Sequence, residues 1–310
     1  MTCSGRRLVP LITALGLMLL SGGKTADGGG NPFGTQGLRF GYSSHLFSEV
    51  SPSDAQTAIV LWTQELTRMA GYHVKTETIL FEDLPTLAAA IRDGKIDFVG
   101  LSSLDYLRIR AGTPMEPALT GRKGGRFGEE QVLLVRRDSG ITSMSQLKGG
   151  MLARLGGVSG EIAFLWINTV LARHGFPMAG KHFAGVKEVE KAQAAILPVF
   201  FKQVDACVVT RNAWETAGEL NPQIGRELVV LANSPEFPHA VTCFRSGMTD
   251  AQKKEFVRLS MNMITTPSGK QILTLFKVDT IAKVPGGFLD NLEALLREAE
   301  KVKVLAKDHR

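Results

Sequence analysis

The sequence predicts an α/β protein of two lobes. Each lobe is a mostly parallel sheet flanked by helices, and two crossing strands form a hinge. Three observations carry this expectation. A β-α-β-α-β order runs from Leu38 to Leu101, which implies a parallel sheet with right-handed crossovers. A second alternation of strands and helices begins near Val132, and Ala240–Arg245 leads back to the first unit. The chain has 310 residues, of which 44% are hydrophobic, enough for one large or two medium domains with real cores.

The elements follow in order. Arg6-Arg7, the apolar run Leu8 to Leu20 and the small residues Ser21-Gly22-Gly23 read as an export signal over residues 1–23. The apolar run is short for a membrane span. Gly23 stands where a lipoprotein signal carries cysteine, so the expected product is exported, soluble and not lipidated. Residues 24–37 are polar and glycine-rich and read as a flexible linker. Leu38–Tyr42 is a strand. A helix opens at Ser53 with Gln56 as capping-box partner, and Gly71 ends it. Ala55, Ile59, Trp62 and Leu66 form its apolar face. A strand to Leu80, a helix from Asp83 to Gly94 and the strand Ile96–Leu101 complete the first unit.

In the second unit, Val132–Arg136 is a strand. Ser143 and Gln146 open a short helix, and Met151–Leu155 is the next strand. A helix runs to Gly175, and a less regular stretch follows. Ala192–Lys202 reads as helical despite Pro198, and Val204–Thr210 and Leu228–Ala232 as strands. Phe288–Val304 is an amphipathic helix. The first lobe is expected over 38–133 and 241–310 and the inserted lobe over 134–240, with crossings near 132–139 and 233–245.

Composition narrows the function. The net charge of +6 is scattered, without basic runs laced with aromatics, so a nucleic-acid partner is disfavoured. Six histidines and the cysteines make no metal cluster, and no cofactor is expected. Cys207 and Cys243 sit in apolar strands, either as a pair or as buried thiols. No nucleophile elbow, Cys/His pair or phosphate-loop lysine is present, so the chain is not expected to be an enzyme.

Gly156-Gly157-Val158-Ser159-Gly160 joins a strand to a helix. Glycines let backbone N–H groups approach a ligand, and a helix N-terminus presents unpaired donors. The turn is therefore an anion cradle or, more plainly, a turn capped by Ser159. Ligands of open α/β sheets lie beyond the C-terminal strand ends. That rule selects Tyr42, Ser43 and Ser44 after the first strand, and Ser102, Ser103 and Tyr106 after the third. It also selects Arg211 and Asn212 after Thr210. Ser102–Ser103 could equally cap a helix, Tyr106 pack on the sheet, and Arg211 make a salt bridge. Glu129, if it faces the cleft, asks for a donor or cation on the ligand. With Arg211 it suits a zwitterion.

These residues resemble a known family. They are Leu38-Arg39-Phe40-Gly41, Ile91-Arg92-Asp93-Gly94-Lys95-Ile96-Asp97-Phe98 and Tyr106, then Val135-Arg136-Arg137-Asp138-Ser139-Gly140-Ile141 and Leu147-Lys148-Gly149-Gly150. Val158-Ser159-Gly160, Val204-Asp205-Ala206 and Asn233-Ser234-Pro235 complete the set. From about residue 38 the chain resembles the periplasmic solute-binding proteins of phosphate, phosphite and phosphonate ABC transporters, a branch of the type II binding fold. The resemblance implies capture of a small ligand in the interlobe cleft, by a monomer, for an ABC permease. The alternative is a sensing module of the same fold that feeds a membrane sensor kinase. The implied ligand is anionic or zwitterionic, a phosphonate, a phosphate or a related oxyanion or carboxylate. In the family a Ser-Thr-Ser-Gly turn holds the oxyanion. Here Gly157-Val158-Ser159-Gly160 matches it and retains Ser159 alone of the three hydroxyls. Glu129 and Gln131 replace a Tyr and a Ser, and Arg211-Asn212 replaces an acidic pair. Lys187 or Lys191 stands nearest a family His.

Overall fold

A computed structural model describes residues 31–34, 37–47, 51–71 and 73–308. The expected export signal lies outside the described residues. Phe33, within the expected linker, is buried against the first lobe's core, so packing starts ahead of residue 38.

The chain opens with β1 (Leu38–Ser43), α1 (Pro52–Ala70), β2 (Thr76–Phe81), α2 (Leu84–Arg92), β3 (Phe98–Ser102), α3 (Ser103–Ile109) and β4 (Met115–Arg122). The second lobe contains β5 (Gly128–Arg136), β6 (Met151–Leu155), α4 (Gly157–Arg173), α5 (Ala179–His182), β7 (Gly185–Val189), α6 (Ala192–Phe200), β8 (Ala206–Thr210), α7 (Arg211–Leu220), α8 (Pro222–Glu227) and β9 (Leu228–Pro238). The return segment is β10 (Ala240–Arg245), α9 (Asp250–Met261), α10 (Pro267–Leu275), β11 (Thr280–Lys283) and α11 (Asp290–Asp308).

Two sheets result, ordered β11-β4-β10-β3-β1-β2 and β7-β6-β8-β5-β9. β2, β1 and β3 are parallel, as are β7, β6 and β8. β10 and β5 run against their neighbours, so each sheet is mixed, with a parallel core and antiparallel additions. The chain crosses between Arg122 and Gly128 and returns at His239. These crossings lie outside the expected β5 start and inside the expected return. β5 begins with Gly128-Glu129-Glu130-Gln131, whose polarity hides a strand that pairs Gly128 with Pro238.

Three strands escape the sequence pattern. β4 contains Pro117 and Gly121, β7 is a short edge strand carrying Lys187 and Glu188, and β11 has four residues. Alternation needs a half-buried strand of some length, and none of these provides it. α1 starts earlier than expected. Pro52 occupies its first turn, and Ser51 caps it by accepting from the Asp54 N–H at 3.1 Å. α11 follows the first lobe in sequence but packs on the second. Leu292 and Leu295 enter the second lobe's core, and Arg173 Nε donates to Glu298 at 2.6 Å. The packing therefore moves this helix out of the first lobe assigned to 241–310.

On one face of the first sheet, Phe40 stacks on Phe98 at 5.1 Å and Phe98 on Phe256 at 3.8 Å. Asp97 ties three strands together, because Arg39 and Arg245 both bond its carboxylate. Burial alone would push Asp97 up, but the hydrogen bonds from Arg39 and Arg245 outweigh it and hold the carboxyl below its ordinary value. Cys207 and Cys243 are buried free thiols in different sheets, and burial pushes both up. Among the described residues no helix is long and apolar enough to cross a membrane.

Candidate functional site

A cavity of about 720 Å³ lies between the lobes. The second lobe meets it with the C-terminal ends of its parallel strands, at Leu155 of β6, Glu190 just past β7 and Thr210 of β8. Parallel strands all end on one edge, so the helices that follow start there too. α4, α6 and α7 thus bring their N-termini to the cavity through Ser159, Ala192 and Asn212. Their first N–H groups lack intrahelical acceptors, and their dipoles favour negative charge.

The turn into α4 is built for this place. Gly156 is the N-cap and no side chain caps the helix, so Ser159 is not a cap. Gly157 has φ +65°, the left-handed region that glycine occupies without strain. A Cβ on Gly160 would lie 1.7 Å from the Leu155 carbonyl oxygen, so the helix sits tight on β6 only with glycine there. Arg154 props the same carbonyl, donating at 2.9 Å. Ser159 is 9% exposed and borders the cavity, and its hydroxyl makes no hydrogen bond among the described residues.

The structure gathers three of the sequence-selected residues on the cavity wall, Tyr42, Ser159 and Asn212. Burial pushes the Tyr42 phenol up, and a hydrogen bond with Thr63 works in the other direction. The remaining candidates stand elsewhere. Successive residues of a strand face opposite sides, so Ser43 turns away from Tyr42's side and donates to Asp105 Oδ2 at 3.3 Å. Ser44 is half-buried and off the wall. Ser102 caps α3, accepting from the Asp105 N–H at 3.0 Å. Ser103 is fully buried beside it, with no partner for its hydroxyl. Tyr106 packs under the first sheet, where burial raises its phenol. Gly157, Val158 and Gly160 shape the turn, and Val158 points into the second lobe's core. Arg211 pairs with Glu130 and does not border the cavity.

Other wall residues were not singled out from the sequence. Lys123, Arg126 and Phe127 come from the first crossing segment and His239 from the return. Of the two lysines nearest the family His, Lys191, just past β7, borders the cavity and Lys187 does not. Glu129 does border the cavity, together with Glu190 and Asp54. Arg126 lies 3.5 Å from Glu236 and 3.9 Å from Glu130. From the first lobe come Phe40, Trp62, Phe98, Phe256 and Phe276. Among the described residues no group of three or more His, Cys, Asp or Glu side chains could hold a metal.

Two α/β lobes around one cavity, entered by helix N-termini and crossed by paired connections, define a two-lobed solute-binding protein of type II architecture. The family model for the periplasmic substrate-binding proteins of phosphonate ABC transporters matches residues 46–285. The chain belongs to that family, whose members bind solutes for transporters and are not enzymes. No curated protein matches it. Among solved structures, XAC2383 from Xanthomonas citri bound to ATP is similar, with a TM-score of 0.61 and 20% identity over 87% of this chain and 98% of that one. PhnD1 from Prochlorococcus marinus in complex with methylphosphonate has the same TM-score of 0.61 and 20% identity, covering 87% of this chain and 100% of that one. A binding component of an ABC phosphonate transporter from Pseudomonas aeruginosa has a TM-score of 0.60 and 17% identity, covering 87% and 88%. These likenesses show the fold.

Proposed function

We propose that the protein is exported, loses residues 1–23, and captures a small anionic or zwitterionic solute in the interlobe cavity for delivery to an ABC importer. The observation that carries this is the convergence of three helix N-termini and the unpartnered Ser159 on that cavity. Backbone N–H groups at a helix start bind an oxyanion without a lysine or arginine. Glu129 and Glu190 on the same wall suit an ammonium or hydroxyl elsewhere on the solute. The family's work with ABC permeases favours transport over a sensor kinase. The methylphosphonate complex of the Prochlorococcus protein makes phosphonates the first compounds to try.

A melting-temperature screen with methylphosphonate, phosphate, carboxylates and amino acids tests the reading. A ligand at 100 times its Kd stabilises by about 2.7 kcal/mol, a shift of several degrees. A flat response across the whole set would sink it.

A further inference from the structure

The turn at the start of α4 rests on an ion pair. Arg154 of β6 stands opposite Glu188 of β7 in the parallel register, and its Nη2 donates to Glu188 Oε2 at 2.5 Å. Its Nη1 donates to the Leu155 carbonyl, and its guanidinium lies over the Phe164 ring of α4 at 4.7 Å. The pair reaches both ends of the turn. Glu188 Oε1 lies 2.7 Å from where a Cβ on Gly156 would stand, and Arg154 Nη1 lies 3.3 Å from the corresponding point at Gly160. The Arg154 side chain is 19% exposed and the Glu188 side chain 57%. The arginine is thus enclosed between strand and helix, while the carboxylate stands at the N-cap, beside the first donors of α4. Arg154 Nε is buried and has no partner among the described residues, a cost that packing alone gives no reason to accept. A bare carboxylate at the N-cap would draw on the same positive helix end that an anionic solute uses, and would repel that solute.

We propose that Arg154 is a positioning residue of the anion cradle. It holds the Leu155 carbonyl under Gly160, which fixes the start of α4. It also neutralises Glu188, so that the N–H donors of the turn meet an anion with no bare carboxylate beside them. This rests on the binding-protein reading above and adds to it a residue behind the cavity wall, since neither Arg154 nor Glu188 borders the cavity. Lysine is no substitute, because a single ammonium lacks the rigid fork that reaches the carbonyl and the carboxylate together.

Calorimetry on the full chain with methylphosphonate, phosphate, acetate and glycine tests this, each variant being compared on every probe that binds the wild type. Arg154→Met should weaken binding about tenfold, and adding Glu188→Gln to it should return the Kd to within about threefold of the wild type. Glu188→Gln alone keeps an acceptor for Arg154 and leaves the guanidinium charge uncompensated, so it should tighten binding about threefold. A pair that only packs the lobe gives a different pattern, with each variant weaker than the wild type and the double variant no better than Arg154→Met. That pattern, or an unchanged Kd in Arg154→Met, overturns the proposal and leaves the binding-protein reading standing. Should Arg154→Met fold poorly, Glu188→Gln decides by itself. Tighter binding is then the expected result, and unchanged or weaker binding overturns the proposal. No binding of any of the four probes to the wild type overturns both readings.

Discussion

The two lobes face one cavity with opposite surfaces. The second lobe offers helix N-termini, Ser159, Asn212 and Lys191, while the first offers half-buried apolar side chains such as Leu46, Phe47 and Phe276 over a packed aromatic core. Both have the same parallel three-strand core, so topology does not explain the contrast. The second lobe meets the cavity edge-on, where strands end and helices start. The first lobe also meets it with a sheet face. Strand ends expose backbone donors, whereas sheet faces expose side chains in alternation. One fold used in two orientations thus makes a polar end and an apolar end.

That contrast can be broken from either side. Phe98→Ala should have the largest effect. It removes the ring stacked on both Phe40 and Phe256, and should lower stability by about 3–5 kcal/mol in urea unfolding. Gly160→Ala comes next, at roughly 1–3 kcal/mol, because the new methyl meets the Leu155 carbonyl. Its loss of ligand affinity should exceed its loss of stability, since the displaced turn carries the N–H donors. Ser159→Ala should leave the melting temperature nearly unchanged and weaken an anionic ligand by about 10–100-fold, the worth of a hydrogen bond to a charged group. An unchanged Kd would remove Ser159 from the site.

A pH experiment sharpens the same comparison in the first lobe. Glu65 of α1 accepts from Arg68 and from Thr266, the N-cap of α10. Chiefly through the Arg68 bond, and against its burial, its pKa falls to about 2. A lowered carboxyl stabilises the fold fully above its unfolded value near 4.5, and that contribution is lost as pH falls toward 2. Acid unfolding should therefore begin in the α1–α10 layer over the first lobe's aromatic core. Glu65→Gln should lower stability at pH 7 and flatten its loss below pH 4.5, measured by hydrogen exchange and circular dichroism. The smallest effect is expected from Arg211→Ala. Its pair with Glu130 is half-buried but still meets solvent, so it is worth about 1 kcal/mol, and ligand affinity should change less than about threefold. A larger loss of affinity would return Arg211 to the ligand.

How much of this was legible in the sequence depended on range. β1, α1, β3 and the strand–turn–helix at Gly156–Gly160 are set by local periodicity and glycine chemistry, and they stand where the pattern puts them. Tyr42 and Asn212 followed from the strand-end rule, and Ser159 from the glycine-rich turn. Ser43, Ser102 and Tyr106 satisfy the same rule, but strand parity, a cap and core packing take them elsewhere. The first lobe's aromatic core was not legible as one cluster. Trp62 reads as an ordinary core residue on a helix face, and Phe98, Phe256 and Phe276 come from segments far apart in the chain.

The sequence by itself determined the class of fold, two α/β units with one inserted in the other, and the turn that presents backbone donors. Hydrophobic period and glycine conformation act over a few residues and need no partner. The tertiary structure alone decided which side of each strand meets the cavity. It also decided that Arg211 is neutralised by Glu130 and that α11 closes the second lobe. Those outcomes depend on which surfaces are buried together, a property of the packed chain that no local pattern contains.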